Sequence, residues 1–203
     1  MDGDRGKIKE LAFLANKYNA AIILDDAHGF GVLGNGRGSL YELNPIPEIL
    51  IQMGTLSKAI GSYGGFVTAP KTIIKLLHNK ARSLIYTTGL PPGTLAASIK
   101  SLEIIMANSE ITQKPYEYAK LFCEKAELPI PESSIVSIIM HSEDNAIKAS
   151  KLLEKHGYYV GAIRPPTVPK NTSRLRFTFS TAHKKKDIIN LAQLTKNILN
   201  GMN

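Results

Sequence analysis

Five apolar residues, Ala20–Leu24, run straight into two acids, Asp25 and Asp26. A short unbroken apolar run that ends this way predicts a buried strand of a parallel sheet, because a strand with one wet face would alternate. The segment before it, Lys7–Tyr18, places Ile8, Leu11, Ala12, Leu14 and Ala15 near helical spacing. The same alternation of helix and strand continues. Strands are predicted at Ile49–Met53 and Gly65–Ala69, a helix from Pro70 through Lys80, an extended segment at Ser83–Thr88, and a long helix from Pro91-Pro92 to the region of Ala107. Asn108–Lys114 reads as a boundary. Beyond it the pattern predicts a helix (Tyr116–Ala126), a strand (Ile135–Met140), a helix (Asp144–His156), strands near Tyr158–Ile163 and at Arg174–Phe179, and a last helix (Lys185–Leu199). The order implies an α/β layer domain over 1–108 and a smaller α/β domain over 109–203.

Composition narrows the function classes. A chain of 203 residues, 43% hydrophobic and 21% charged, fits a soluble protein with a sizeable core. The longest apolar runs fall far short of the roughly 20 residues of a membrane span, and Met1-Asp2-Gly3-Asp4 lacks the basic-then-apolar pattern of a signal peptide. The single cysteine, Cys123, excludes an intrachain disulfide and a multi-cysteine metal site, so a reducing cytoplasm is the expected home. The net charge of +8 reads first as a solvated basic surface. Lys184-Lys185-Lys186 has no aromatic beside it, so nucleic-acid binding is not expected. A basic surface could still steer an anionic acyl carrier or thioester.

Taken singly, the motifs are weak. Asp25 and Asp26 at a strand end are more often turn or cap residues than ligands. His28 alone reads as an ordinary hydrogen-bonded histidine, and Lys58 near Gly61 as a solvated lysine. Gly29-Phe30-Gly31-Val32-Leu33-Gly34 matches a dinucleotide fingerprint formally, but no helix pattern follows it, so that reading is rejected. No two histidines form a metal-like pair on one helix, and no metal is expected. Taken together they change. An Asp at a strand end, a nearby His, and Lys58 within Thr55-Leu56-Ser57-Lys58-Ala59 are what pyridoxal 5'-phosphate (PLP) chemistry requires. A carboxylate keeps the ring nitrogen protonated, an amine attaches the cofactor, and hydroxyls hold its phosphate.

The order Asp25-Asp26-Ala27-His28-Gly29, glycine-rich loop, strand, Thr55-Leu56-Ser57-Lys58-Ala59, Gly61-Ser62-Tyr63-Gly64-Gly65 resembles fold-type I PLP enzymes, and within them the α-oxoamine synthases. Further matches are Ile85-Tyr86-Thr87-Thr88-Gly89-Leu90-Pro91-Pro92 and Arg174-Leu175-Arg176, and the likeness covers essentially the whole chain. It implies the C-terminal part of a PLP-dependent transferase large domain, followed by a small α/β domain. It also implies a decarboxylative condensation of an amino acid with an acyl thioester. Lys58 would carry PLP and move the substrate Cα proton, Asp25 would pair with the pyridinium nitrogen, and His28 would hydrogen-bond the phenolic oxygen. Thr55 would hold the phosphate, and Thr87 and Thr88 would reach the phosphate of a neighbouring subunit's cofactor, which makes a homodimer the expected assembly. Arg176 would clamp the amino-acid carboxylate and Thr167 would line the substrate site.

Within that family, Ala162-Ile163-Arg164-Pro165-Pro166-Thr167-Val168-Pro169 points to a member of biotin biosynthesis. That member takes L-alanine and a pimeloyl thioester, as pimeloyl-CoA or pimeloyl-acyl carrier protein. The same segment argues against glycine-using siblings, glycine C-acetyltransferase and 5-aminolevulinate synthase. A non-catalytic remnant or regulatory pseudo-subunit is disfavoured by the retention of every matched catalytic residue. Met1 falls inside the family pattern, so roughly the first half of a normal member has no counterpart here. The expectation is a chain inactive without a separately supplied N-terminal half, with exposed apolar surface and unpaired sheet edges where that half would lie.

Overall fold

The computed structural model describes residues 2–42 and 50–202. The predicted strand start at Ile49 lies outside the described residues. The chain divides into two compact units, Gly6–Gln113 and Met1–Arg5 with Lys114–Asn203.

In the first unit, α1 (Ile8–Tyr18) ends where Asn19 turns left-handed, at φ 49°, and hands the chain to β1 (Ile22–Asp25). Two 3-10 turns, Gly34–Gly36 and Ser39–Glu42, follow. Then come β2 (Leu50–Thr55) and β3 (Gly65–Thr68). Strand β2 is central, parallel to β1 and antiparallel to β3, with Asp25 opposite Met53 and Thr55 opposite Gly65. A Cβ on Gly54 would lie 2.5 Å from the Phe66 ring, so only glycine lets the β3 aromatic cross β2 there. Three helices complete the unit: α2 (Lys71–Lys80), α3 (Arg82–Ile85) and α4 (Pro92–Ala107).

Two expectations are corrected here. Ser83–Thr88 is not extended: the Ala81 carbonyl accepts from the N–H groups of Leu84 and Ile85 and closes one helical turn. The β1 run is parallel, as its apolar sequence implies, but it is not buried, and Ile23 is 73% exposed.

The helix expected from Tyr116 begins earlier. It is α5 (Glu110–Ala126), which runs through Pro115 and carries the boundary between the units. A proline removes one helical hydrogen bond, and this helix continues past it.

The second unit places β4 (Ile135–His141), α6 (Glu143–Lys155), β5 (Gly161–Ile163), β6 (Ser173–Thr178) and α7 (Lys185–Asn200) around an antiparallel sheet of order β4-β6-β5. Of the strand expected near Tyr158–Ile163, only the last three residues pair. Ser142 caps α6 by accepting from the Asn145 N–H at 3.1 Å. Helical spacing then brings Ala146, Ala149 and Leu153 to one buried face, as it does Ala119, Phe122, Cys123 and Ala126 on α5. Leu175 and Phe177 point from alternate positions of β6 into the same core, where Phe122 meets Phe177 at 4.7 Å between centroids. Each such side chain contributes about 1.5–3 kcal/mol when fully buried. The period of two puts Arg174 and Arg176 on the opposite face of β6.

Candidate functional site

The candidate residues fall into two groups, one in each unit. The first lies where the parallel strands β1 and β2 end, the edge at which open α/β sheets gather ligands. Asp25 is the last residue of β1 and is exposed, and its Oδ1 accepts from the Ala27 N–H at 3.0 Å. His28, also exposed, follows in the turn. Thr55 ends β2. Its hydroxyl oxygen lies 2.7 Å from Ser57 Oγ, donates to the Gly64 carbonyl at 3.1 Å and accepts from the Ser57 N–H at 3.2 Å. The turn is closed by Leu56 N–H to Gly64 O and Ser62 N–H to Leu56 O, both 2.8 Å. Lys58 stands exposed on that turn, and its amine has no hydrogen-bond or ion-pair partner among the described residues. Two hydroxyls, an open amine and a strand-end carboxylate fit a phosphorylated, carbonyl-bearing cofactor with a basic ring nitrogen. Thr87 and Thr88 follow α3, both exposed, with Thr87 Oγ1 3.4 Å from the Thr88 carbonyl.

The second group lies on the face of the β4-β6-β5 sheet opposite its core. Arg174 and Arg176 are two residues apart on β6, yet their surroundings differ. Arg174 is 7% exposed, and its guanidinium is paired with Asp2 and donates to the Thr172 carbonyl at 2.9 Å. The hydrogen bond from Arg174 holds the Asp2 carboxyl below its ordinary value of 3.8, with Ser137 assisting. Arg176, opposite Ser137 and Gly161, has a buried Nε with no hydrogen-bond partner among the described residues. A buried donor without an acceptor is costly, by about 1–3 kcal/mol, unless a ligand supplies one. A carboxylate offers the matching two-oxygen acceptor. Thr167 lies in the loop between β5 and β6, exposed, its N–H donating to Arg164 O at 3.0 Å.

Among the described residues no cluster of His, Cys, Asp or Glu could hold a metal ion. A cleft in the second unit is lined by His156, Tyr159, Phe179, His183 and Asp187, and none of the candidate residues lines it. Burial alone pushes the Cys123 thiol to about 11, which removes it as a nucleophile.

Three participants escape a reading of the sequence: Ser57 as the hydroxyl partner of Thr55, Asp2 as the acid that occupies Arg174, and Gln52 beneath Asp26. Gln52 carried the one usable signal, a polar residue inside an apolar strand.

The family model for aminotransferase class I and II matches residues 1–194. The chain belongs to this family. Its match to the 8-amino-7-oxononanoate synthase of Granulibacter bethesdensis is 48% identical over 199 residues, covering 98% of this chain and 51% of that protein. Two solved members of the fold superpose on it. Serine palmitoyltransferase from S. paucimobilis, with a PLP–myriocin aldimine bound, matches with TM-score 0.90 at 25% identity, over 100% of this chain and 53% of that one. The 8-amino-7-oxononanoate synthase of Francisella tularensis matches with TM-score 0.77 at 27% identity, over 95% of this chain and 58% of that one. The chain spans about half the length of the curated relatives it matches. As an aminotransferase-family chain it has the mixed α/β fold its motifs imply, and no helix among the described residues is long and apolar enough to cross a membrane.

Proposed function

We propose that this chain carries the C-terminal portion of an 8-amino-7-oxononanoate synthase. The reaction joins L-alanine to a pimeloyl thioester, on coenzyme A or an acyl carrier protein, and releases CO2 and the free thiol to give 8-amino-7-oxononanoate for biotin synthesis. The observation that carries the reading is the exposed Lys58 amine on a turn built by the Thr55–Ser57 hydroxyl pair at the ends of two parallel strands. Bound PLP would supply an electron sink for the carbanion at the substrate Cα.

The chain's own residues hold and orient. Lys58 would attach the cofactor and would take and return the Cα proton. Asp25 would keep the ring nitrogen protonated, and His28 would donate to the phenolic oxygen. Thr55 would grip the phosphate, and Thr87 and Thr88 would reach the phosphate in the second subunit of a homodimer. Arg176 clamps the alanine carboxylate with the donor its own unit leaves unpaired, and Thr167 lines the acyl side. The same roles are supported by the 45–48% identity to curated synthases.

Activity would require the half of the fold that the curated relatives have beyond the stretch this chain matches. The exposed apolar surface of the first unit supports this, with Phe13, Tyr18 and Ile23 at 68, 68 and 73%. The single buried cysteine favours the cytoplasm. The test is an assay of the chain co-expressed with an N-terminal half from a full-length relative, offered alanine or glycine with pimeloyl-CoA. Alanine-dependent product that disappears in Lys58→Ala is expected. Turnover with glycine alone, or turnover untouched by Lys58→Ala, would overturn the assignment.

A further inference from the structure

We infer that Asp26, the second acid of the Asp25-Asp26 pair, is a positioning residue that sets Asp25 and His28 against the Lys58 turn. The inference deepens the cofactor reading above and rests on it. Asp26 is 3% exposed, whereas its neighbours Asp25 and His28 are exposed. Its carboxylate accepts three hydrogen bonds: from the Ser39 N–H at 2.9 Å, the Ser39 hydroxyl at 2.6 Å and the Gln52 side-chain amide at 2.9 Å. Its backbone is held as well. The N–H donates to Met53 O on β2 at 2.9 Å, and the carbonyl accepts from Gly29 and Phe30 at 3.1 and 2.8 Å. Both ends of the Gly29–Ser39 loop therefore close on one residue.

The loop is shaped around that carboxylate. A Cβ at Gly29 or at Gly38 would sit 2.1 Å from an Asp26 oxygen, so each glycine leaves the space the acid fills. At its other side the loop rests on the turn after Lys58. A Cβ at Gly31, where φ is 81°, would lie 2.6 Å from the Ala59 Cβ. The route from Asp26 to Lys58 is thus a run of packed backbone, not a charge acting through space. The donors on Asp26 are neutral, and no Lys or Arg contacts it among the described residues.

This arrangement separates hydrogen bonding from charge. In Asp26→Asn the amide oxygen can accept from both N–H donors while the amide nitrogen donates to the Ser39 hydroxyl, so the network survives. In Asp26→Ala it is lost. Ser39→Ala removes one bond from the loop side and serves if Asp26→Ala fails to fold. Leu153→Ala, in the core of the other unit, controls for general destabilisation.

The experiment titrates each variant of the chain with PLP, traps covalent cofactor with borohydride at Lys58, and follows the pH midpoint of the visible absorbance. Asp26→Asn is expected to match wild type. Asp26→Ala and Ser39→Ala are expected to weaken PLP binding, Asp26→Ala by roughly 10- to 100-fold, the range seen for second-layer partners of metal ligands, and to move the pH midpoint. Leu153→Ala should lower the melting temperature and leave that midpoint in place. Asp26→Ala binding as wild type does, or Asp26→Asn as damaging as Asp26→Ala, would overturn the inference. If wild type traps no PLP, the cofactor reading of the chain alone fails, and hydrogen exchange decides the role of Asp26. Faster exchange confined to residues 28–39 in Asp26→Ala supports it, and unchanged exchange there rejects it.

Discussion

The two units use their apolar residues in opposite ways. Among the described residues, the second unit buries seventeen hydrophobic side chains and exposes four large ones, whereas the first buries four and exposes sixteen. Local pattern does not account for this. Helix α1 carries Leu11, Leu14 and Tyr18 at helical spacing, yet these are 52, 45 and 68% exposed while the small Ala12 and Ala15 are buried. Helix α4 is apolar nearly all round, a composition that belongs inside a protein, and Ser98 is its only residue buried among those described. The second unit has both layers of its sandwich, helices on a sheet. The first also has a sheet and helices, but among the described residues their large apolar faces find no opposing layer and stay exposed.

The contrast can be broken most directly in the cores. Leu153→Ala, at 0% exposure, should destabilise the second unit by about 2–5 kcal/mol, read by denaturant unfolding with hydrogen exchange to locate the loss. Ile23→Ala should change stability by no more than about 0.5 kcal/mol. An equal cost at both sites would show that the first unit is packed after all. Supplying an N-terminal half should raise the cost of Ile23→Ala and leave that of Leu153→Ala where it was.

The two arginines sharpen the same contrast at one strand. In the reconstituted enzyme, Arg176→Ala should weaken alanine use by about 2–5 kcal/mol, measured as kcat/KM, with little effect on folding. Asp2→Ala should do the reverse, leaving alanine use intact and destabilising the second unit. A buried pair broken on one side loses about 3–5 kcal/mol. Asp2 is 43% exposed, so solvent screening reduces this to about 1 kcal/mol. An Arg176→Ala enzyme with normal alanine dependence would place the carboxylate clamp elsewhere.

The smallest effects are in pH and thiol chemistry. The Asp2 carboxyl is lowered in the folded state, so the stability it contributes is complete above its ordinary 3.8 and is lost as pH falls through its folded value. Acid titration of unfolding should show that loss in the wild type and not in Asp2→Asn. Cys123, pushed by burial to about 11, should resist alkylation at mildly alkaline pH until the second unit unfolds. Rapid labelling of the native chain would mean its core is open.

Most of the candidate site is legible in the sequence because it is local. Asp25, His28, Thr55 and Lys58 lie within motifs, and a strand end or a hydroxyl-rich turn is set by near neighbours. Arg176 was singled out by the resemblance, while the residue types alone offered two equivalent arginines. What separates the two physically is Asp2, 172 residues away from Arg174 in sequence, which reaches one guanidinium and not the other. Asp26 read as an ordinary turn acid because Ser39 and Gln52, its partners, come from a loop and a neighbouring strand. The turn at Arg82–Ile85 was missed because a single helical turn has no periodicity to detect.

By itself, then, the sequence determined the alternation of helices and strands, the order of the motifs and the residue types of the site, since these follow from short-range spacing and side-chain chemistry. Only the tertiary structure decided which arginine keeps an unpaired donor, which acid is buried as a strut, and which apolar faces are left without a layer. Each of those depends on groups distant in sequence competing for the same neighbours, and no local pattern records the outcome of that competition.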